Sequence, residues 1–384
     1  MAETKRHYFD WAATALPDNR LTAEAAIGSQ PAFANPSSKH LEGRTARETL
    51  ENARVKCAQA LSVKPETLYF TSGGTESNNI VLYSMLKKTG KGRVMFSAVE
   101  HPSVRDNCYV LEQFGIPVTP VAVEKDGRVN PKIFIRTLEK HPDTRMAAIM
   151  SVNNETGAIM DTGEIVRQIR QSDLPVHVHC DLVQAAGKIL LDIKSWGIDS
   201  ASFSAHKLGG PRGIGLLYLK KPVEPLFAGG QENGIRPGTE NIAGAMALAQ
   251  ALQEFCLPDA VAANTGPAQE RWNFLIHALK SNNRFSLIPE DRTENDPRFS
   301  PWILQARFKG IPGEVMVRAL DSEGFAISTG SACSSSHKER PVLKAMGLDE
   351  SSSLEGIRIS QGWTTTGDDI EALIAGIDKV LRLL

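Results

Sequence analysis

The chain has 384 residues, 41% of them hydrophobic, enough to bury a large core and to suggest one large domain plus a smaller one. Its 43 basic and 44 acidic side chains leave a formal net charge of -1, so no global field would hold it on nucleic acid or on an anionic membrane. The N-terminus lacks the basic-then-apolar layout of a secretory signal, and no apolar run is long enough to span a bilayer, so a soluble, cytoplasmic protein is expected.

Along the chain, short β-branched or apolar runs alternate with helical patterns. LYFTS, RVMFSA, MAAIMSV, VHVHCD, SASFSA and GLLYL read as strands, while SNNIVLYSMLKK and TGEIVRQIRQS read as amphipathic crossover helices. The alternation predicts an α/β fold: a large domain over residues 16–256 built on a mostly parallel, doubly wound sheet. Pro258, Gly266 and Pro267 interrupt the pattern before the helical stretch QERWNFLIHALKS, and a smaller α+β domain is placed at 1–15 and 257–384. The tract 291–301, DRTENDPRFSP, reads as an exposed loop. Cys57, Cys108, Cys180, Cys256 and Cys333 are scattered, without a Cys-x-x-Cys pair, and are expected to be reduced thiols. Only Cys333 sits among glycine and serine.

The distinctive polar residues fall at strand ends, where ligands bind in open α/β sheets. LYFTSGGTESNN reads as strand, glycine turn and helix N-terminus, with Gly74 and Thr75 placed to meet a phosphate. His101 follows RVMFSA, and Asn154 lies in SVNNETG at another strand end. VHVHCD ends in Asp181, with Gln184 just beyond; a buried carboxylate can keep a pyridinium nitrogen protonated. SASFSA runs into His206, Lys207 and a glycine-rich turn, and burial beside cations would make such a lysine a nucleophilic amine. His177, His179 and Asp181 alternate onto one strand face, but strand alternation alone explains that spacing, no fourth ligand is evident, and no metal is expected.

Together TSGGTESNN, VEHPSV, VNNETG, HCDLVQAAGK, SFSAHKLGGPRGIG, GGQENGIRPGTEN, STGSAC and IRIS resemble the NifS/IscS-type cysteine desulfurases, in the class V branch of fold type I pyridoxal-phosphate enzymes. The resemblance covers nearly the whole chain in order. It implies pyridoxal 5'-phosphate as cofactor, with Lys207 as the lysine that carries it, Asp181 on the pyridine nitrogen, Gln184 on the ring oxygen and His101 over the ring face. Gly74, Thr75, Ser204 and His206 would hold the phosphate. Thr239 in RPGTEN resembles a threonine given to a neighbouring subunit's site, which implies a homodimer. Arg358 in IRIS would grip the carboxylate of L-cysteine, with Asn154 and the Ala13-Thr14 pair completing the substrate pocket, and Cys333 would take the sulfur as a persulfide. Acceptors would be proteins of iron–sulfur cluster assembly or tRNA thiolation. Selenocysteine cleavage, transamination and a non-catalytic platform are the rival readings. The chain departs from the family pattern at Trp11 (usually asparagine), Cys180 (commonly valine) and Gln361 (usually apolar), and the segment after Cys333 is about one residue short.

Overall fold

The computed structural model describes residues 6–87, 92–330 and 339–384; Cys333 lies outside the described residues, with His337 and Lys338. Among those described, the strands are β1 (His7–Tyr8), β2 (Leu68–Thr71), β3 (Arg93–Ser97), β4 (Val118–Val121), β5 (Thr144–Met150), β6 (His177–Asp181), β7 (Ser200–Ser204), β8 (Gly215–Leu219), β9 (Phe285–Leu287), β10 (Ile303–Phe308), β11 (Phe325–Ala326) and β12 (Gly356–Ser360). Seven form one sheet in the order β2-β8-β7-β6-β5-β3-β4, in which β8 alone runs antiparallel to its neighbours. The others pair as β12-β10-β9, antiparallel throughout, and as β1-β11, parallel.

The central strands are buried along their length because helices cover both faces, as a largely parallel sheet requires. Successive side chains divide between the faces. Met95, Ala147, Val178, Phe203 and Phe70 enter one apolar cluster; Val94, Phe96, Met146, Ala148 and Tyr69 enter the other. A separate cluster joins Phe9 to Trp272, Leu304, Phe308, Ile357, Ile359, Leu373 and Ile377 around β10 and β12.

Two local expectations are corrected. Helix Pro258–Leu279 runs straight through Gly266 and Pro267. Both lie on its exposed side while Val261, Ala268 and Trp272 are buried, so packing of one face outweighs the loss of one backbone hydrogen bond. The 291–301 tract is irregular but not simply exposed: buried Arg292 donates to the carbonyls of Thr156 and Ile303 and stacks on Phe299. Strand β4 was not anticipated, because Pro120 sits inside it. An edge strand tolerates the missing donor, and β4 is at the edge.

Segment 229–241 is held to the sheet by a buried ion pair. Glu232 receives Arg54 through Nη1 and Nη2 at 2.7 and 2.8 Å and also accepts the Phe70 N–H at 2.7 Å. Glu232→Ala would leave a buried guanidinium short of its partner, and a loss of about 3–5 kcal/mol in unfolding free energy is expected by urea titration.

Candidate active site

The C-terminal ends of the parallel strands open on a cavity of about 280 Å³. Gly74, Thr75, His101, Asn154, Asp181, Gln184, Ser204, His206 and Lys207 line it from the large-sheet side. Ala12, Ala13, Gly330 and Arg358 line it from segments joined to the β12-β10-β9 sheet. The structure thus brings eleven of the predicted site residues to one wall: the nine just named with Ala13 and Arg358. Thr14 stands just behind, its Oγ1 3.2 Å from His206 Nδ1. Thr239 is exposed and away from this cavity. Ala12, Ser103, Met150, Val183 and Gly330 also line it. Ala12, Ser103 and Gly330 were legible only as neighbours of motif residues.

Each element delivers its group for a local reason. Helix Gly74–Tyr83 starts directly after β2, so its first N–H groups, which have no intrahelical acceptor, face the strand-end side. A Cβ on Gly74 would come 2.6 Å from Val183 Cγ2, so only glycine allows this approach. His101 caps helix Pro102–Gln113, its Nδ1 accepting the Ser103 N–H. Lys207 ends the turn after β7, and its Nζ donates to the carbonyls of Ala12 and Ala13, each at 2.7 Å. Asp181 closes β6; Oδ1 accepts the Val183 N–H and Oδ2 the Asn78 side-chain amide, both at 3.0 Å.

The electrostatics are strongly shaped by burial. Burial pushes the His206 imidazole down to about 4, with Lys207 and Arg212 adding to the shift, so at neutral pH it is an uncharged hydrogen-bonding group. Glu100, entirely buried behind Met150, is pushed well above the usual carboxylate range. Burial likewise keeps Cys57, Cys108, Cys180 and Cys256 as thiols. Arg358 is 2% exposed. Its Nη2 meets Asp10 Oδ1 at 2.8 Å and its Nη1 the Asn154 carbonyl at 2.8 Å, while Nε, buried, has no partner among the described residues.

A second lysine lies close by. Lys188 does not line the cavity; it is buried and donates to Gln184 Oε1 at 2.7 Å, while Gln184 Nε2 donates to the Ala12 carbonyl. Burial, reinforced by Lys207 and Arg358, lowers its amine from 10.5 to about 7. Between those values the unfolded chain binds more protons, so this lysine makes stability rise with pH across the window, and its penalty is fully present below pH 7. Lys188→Met is expected to flatten that rise, read as the difference between the two proteins' urea midpoints at about pH 6 and about pH 9.

The chain matches the profile of the family Aminotransferase class-V across residues 7–373. The chain belongs to that family. Among its relatives, "Cysteine desulfurase IscS" of Dictyoglomus turgidum is 34% identical over 98% of this chain and 95% of its own. "NifS/IcsS protein homolog" of Lactobacillus delbrueckii subsp. bulgaricus is 37% identical over 91% of this chain and 90% of its own. A solved structure of a NifS-like protein superimposes with a TM-score of 0.90 at 30% identity, over 99% of this chain and 100% of that one. The structure of SspA in complex with cysteine superimposes at 0.78 with 29% identity, over 94% and 100%. These likenesses agree with the mostly parallel sheet and its strand-end cavity. No helix among the described residues is long and apolar enough to cross a membrane.

Proposed function

We propose that this chain is a pyridoxal-phosphate-dependent cysteine desulfurase that converts L-cysteine to L-alanine and leaves the sulfur as a persulfide on Cys333. The observation that carries the reading is the convergence of Lys207, Asp181, His101 and Arg358 on one cavity beneath a helix N-terminus. Similarity to relatives named cysteine desulfurase and to SspA in complex with cysteine supports the substrate.

The donor set fits the cofactor. Thr75, Ser204, His206 and the helix start at Gly74 form the pole suited to a phosphate, and the Asp181 carboxylate, with donors on both oxygens, suits a protonated pyridine nitrogen. When bound, pyridoxal phosphate supplies an electron sink for the substrate's α-carbon. Lys207 holds the cofactor in the resting protein and, once released, is the base for the α-proton. Arg358, which lines the cavity, presents its guanidinium to the substrate carboxylate, with Asn154 beside it. Cys333, three positions after wall residue Gly330, attacks the substrate sulfur as thiolate; the carbon–sulfur bond breaks, a sulfur–sulfur bond forms, and both protons end on the alanine methyl group and the persulfide. Cysteine plus enzyme thiol balances alanine plus enzyme persulfide, with no external oxidant.

The exposed Thr239 supports a homodimer in which each copy completes the other's phosphate pole, and reduced thiols on partner proteins of iron–sulfur assembly or tRNA thiolation are the acceptors proposed. The apolar cluster that joins Phe9 to residues between Trp272 and Val380 supports reading 1–15 and 257–384 as the domain that bears Cys333, with 16–256 as the cofactor domain whose core also takes in Ile288, Val342, Leu343 and Met346. The test is to incubate the cofactor-loaded protein with cysteine and a reductant and quantify alanine and sulfide together. Equal yields support the reading; 3-mercaptopyruvate without alanine or sulfide would indicate transamination instead.

Arg358→Lys keeps the charge but loses the planar fork. An increase in KM for cysteine of about 10- to 100-fold is expected, with a smaller change in kcat, from steady-state sulfide release.

A further inference from the structure

Behind the cavity a single amide reaches both of the groups that would face the cofactor ring, Asp181 directly and His101 through Ser103. Asn78 is fully buried on helix Gly74–Tyr83. Its Nδ2 lies 3.0 Å from Asp181 Oδ2 and 2.8 Å from Ser103 Oγ, and its Oδ1 lies 2.8 Å from His179 Nε2. A carboxylate accepts only, so the NH₂ group must face Asp181 and the carbonyl must face His179. His179 Nε2 therefore carries a proton.

His179 is fully buried, and burial pushes its imidazole down to about 3, so it is neutral and its Nδ1 is an acceptor. The nearest donor to Nδ1 is Ser200 Oγ, at 2.8 Å; having given its one proton there, that hydroxyl accepts from His177 Nε2, also at 2.8 Å. Donation thus runs one way, from His177 through Ser200, His179 and Asn78 to Asp181. The alternating His177, His179 and Asp181 form two ends and a middle of this relay.

The other N–H of Asn78 acts on His101. Ser103 Oγ, accepting from Asn78, has its own proton to give to His101 Nδ1 at 2.8 Å, and the Ser103 backbone N–H points at the same nitrogen from 3.1 Å. His101 Nδ1 is therefore bare. Burial lowers this imidazole too, so its proton sits on Nε2.

We propose that Asn78 is a positioning residue that fixes the hydrogen-bonding states of Asp181 and His101 together, with His179 as the clamp that keeps its amide from turning over. Turned over, the carbonyl would face the Asp181 carboxylate and both donors would be lost. This deepens the desulfurase reading and rests on it for its catalytic meaning, but the hydrogen-bond states belong to the protein without cofactor.

The test reads them there. In cofactor-free protein with ¹⁵N-labelled histidine, long-range proton–nitrogen NMR should show His101 and His179 as Nε2–H tautomers. Asn78→Asp keeps the shape and the acceptor for His179 but removes both donors. It should mix the His101 tautomers and raise the dissociation constant of pyridoxal phosphate by about 10-fold or more, as loss of a donor to a buried charge does. His179→Gln, whose side-chain amide can still reach Asn78 Oδ1, should restore most of the affinity that His179→Phe loses. An Nδ1–H tautomer at His101 in the unaltered protein overturns the proposal, as does equal behaviour of the two His179 variants or an unchanged His101 pattern in Asn78→Asp. Absence of cysteine turnover with the tautomers as stated would sink the desulfurase reading alone.

Discussion

Cys333→Ala is expected to bind pyridoxal phosphate normally and to lose alanine and sulfide formation by ~10³-fold or more, the scale set by removing a covalent nucleophile. The reason is chemical division of labour. The cavity holds the groups for carbon chemistry, Lys207, Asp181 and Arg358, but the four described cysteines are buried elsewhere in the core and burial keeps them protonated. Among the described residues none of these thiols reaches the cavity wall, which is why the proposal gives the sulfur to Cys333. Its sequence neighbours His337, Lys338 and Arg340 favour a thiolate. Absorbance of the bound cofactor, measured beside product release, separates loss of sulfur transfer from loss of binding. A variant that still produced sulfide at the original rate would assign the chain to a different class-V chemistry.

Lys207→Ala is expected to act earlier, removing both the covalent attachment of the cofactor and the base for the α-proton. Turnover should fall by ~10²-fold to 10⁴-fold or more from loss of the base alone. Borohydride reduction followed by peptide mapping should mark position 207 in the unaltered protein and nothing there in the variant. Lys188 is the competing amine in the neighbourhood, and its lower proton affinity would make it reactive at neutral pH if it had access. It has none: it is buried, bonded to Gln184 and absent from the cavity lining. Label found on Lys188 instead would overturn the assignment of roles.

The strand pattern of the large sheet was legible because continuous runs such as MAAIM and GLLYL have to be buried on both faces, whatever the tertiary detail. The direction of β8 was not, since an antiparallel strand enclosed by parallel ones has the same composition. Pro267 misled for the opposite reason: its local cost is real, but Val261, Ala268 and Trp272 on the far side of the helix decide the outcome. At the site, Gly74, Thr75, His101, Asn154, Asp181, Ser204 and Lys207 arrive at one cavity because each follows or ends a strand of the large sheet, whereas Ala13 and Arg358 come from the other side and Thr239 stays away. Lys188, Asn78 and Ser103 escaped notice. Their importance comes from whom they touch, and the polar pair in ESNN or the lysine of QAAGK carries no mark of that in one dimension. Trp11 and Gln361, departures from the family pattern, turn out to be well accommodated: the indole packs against Gly362 and Trp363, and Gln361 bonds to Arg271 and the carbonyls of Ala268 and Pro301.

The placing of β8 between β2 and β7 has an effect on how the molecule is made. A ribosome that has released residues up to Ser204 has already delivered β2 and the phosphate-facing turn, yet β2 then has no neighbour to bond with, because its partner begins at Gly215. Until that late strand emerges, β2 presents an unpaired edge, and the stretch from Leu68 to Thr71 is the part of the large sheet that must wait longest for its only hydrogen-bonded neighbour among the described strands.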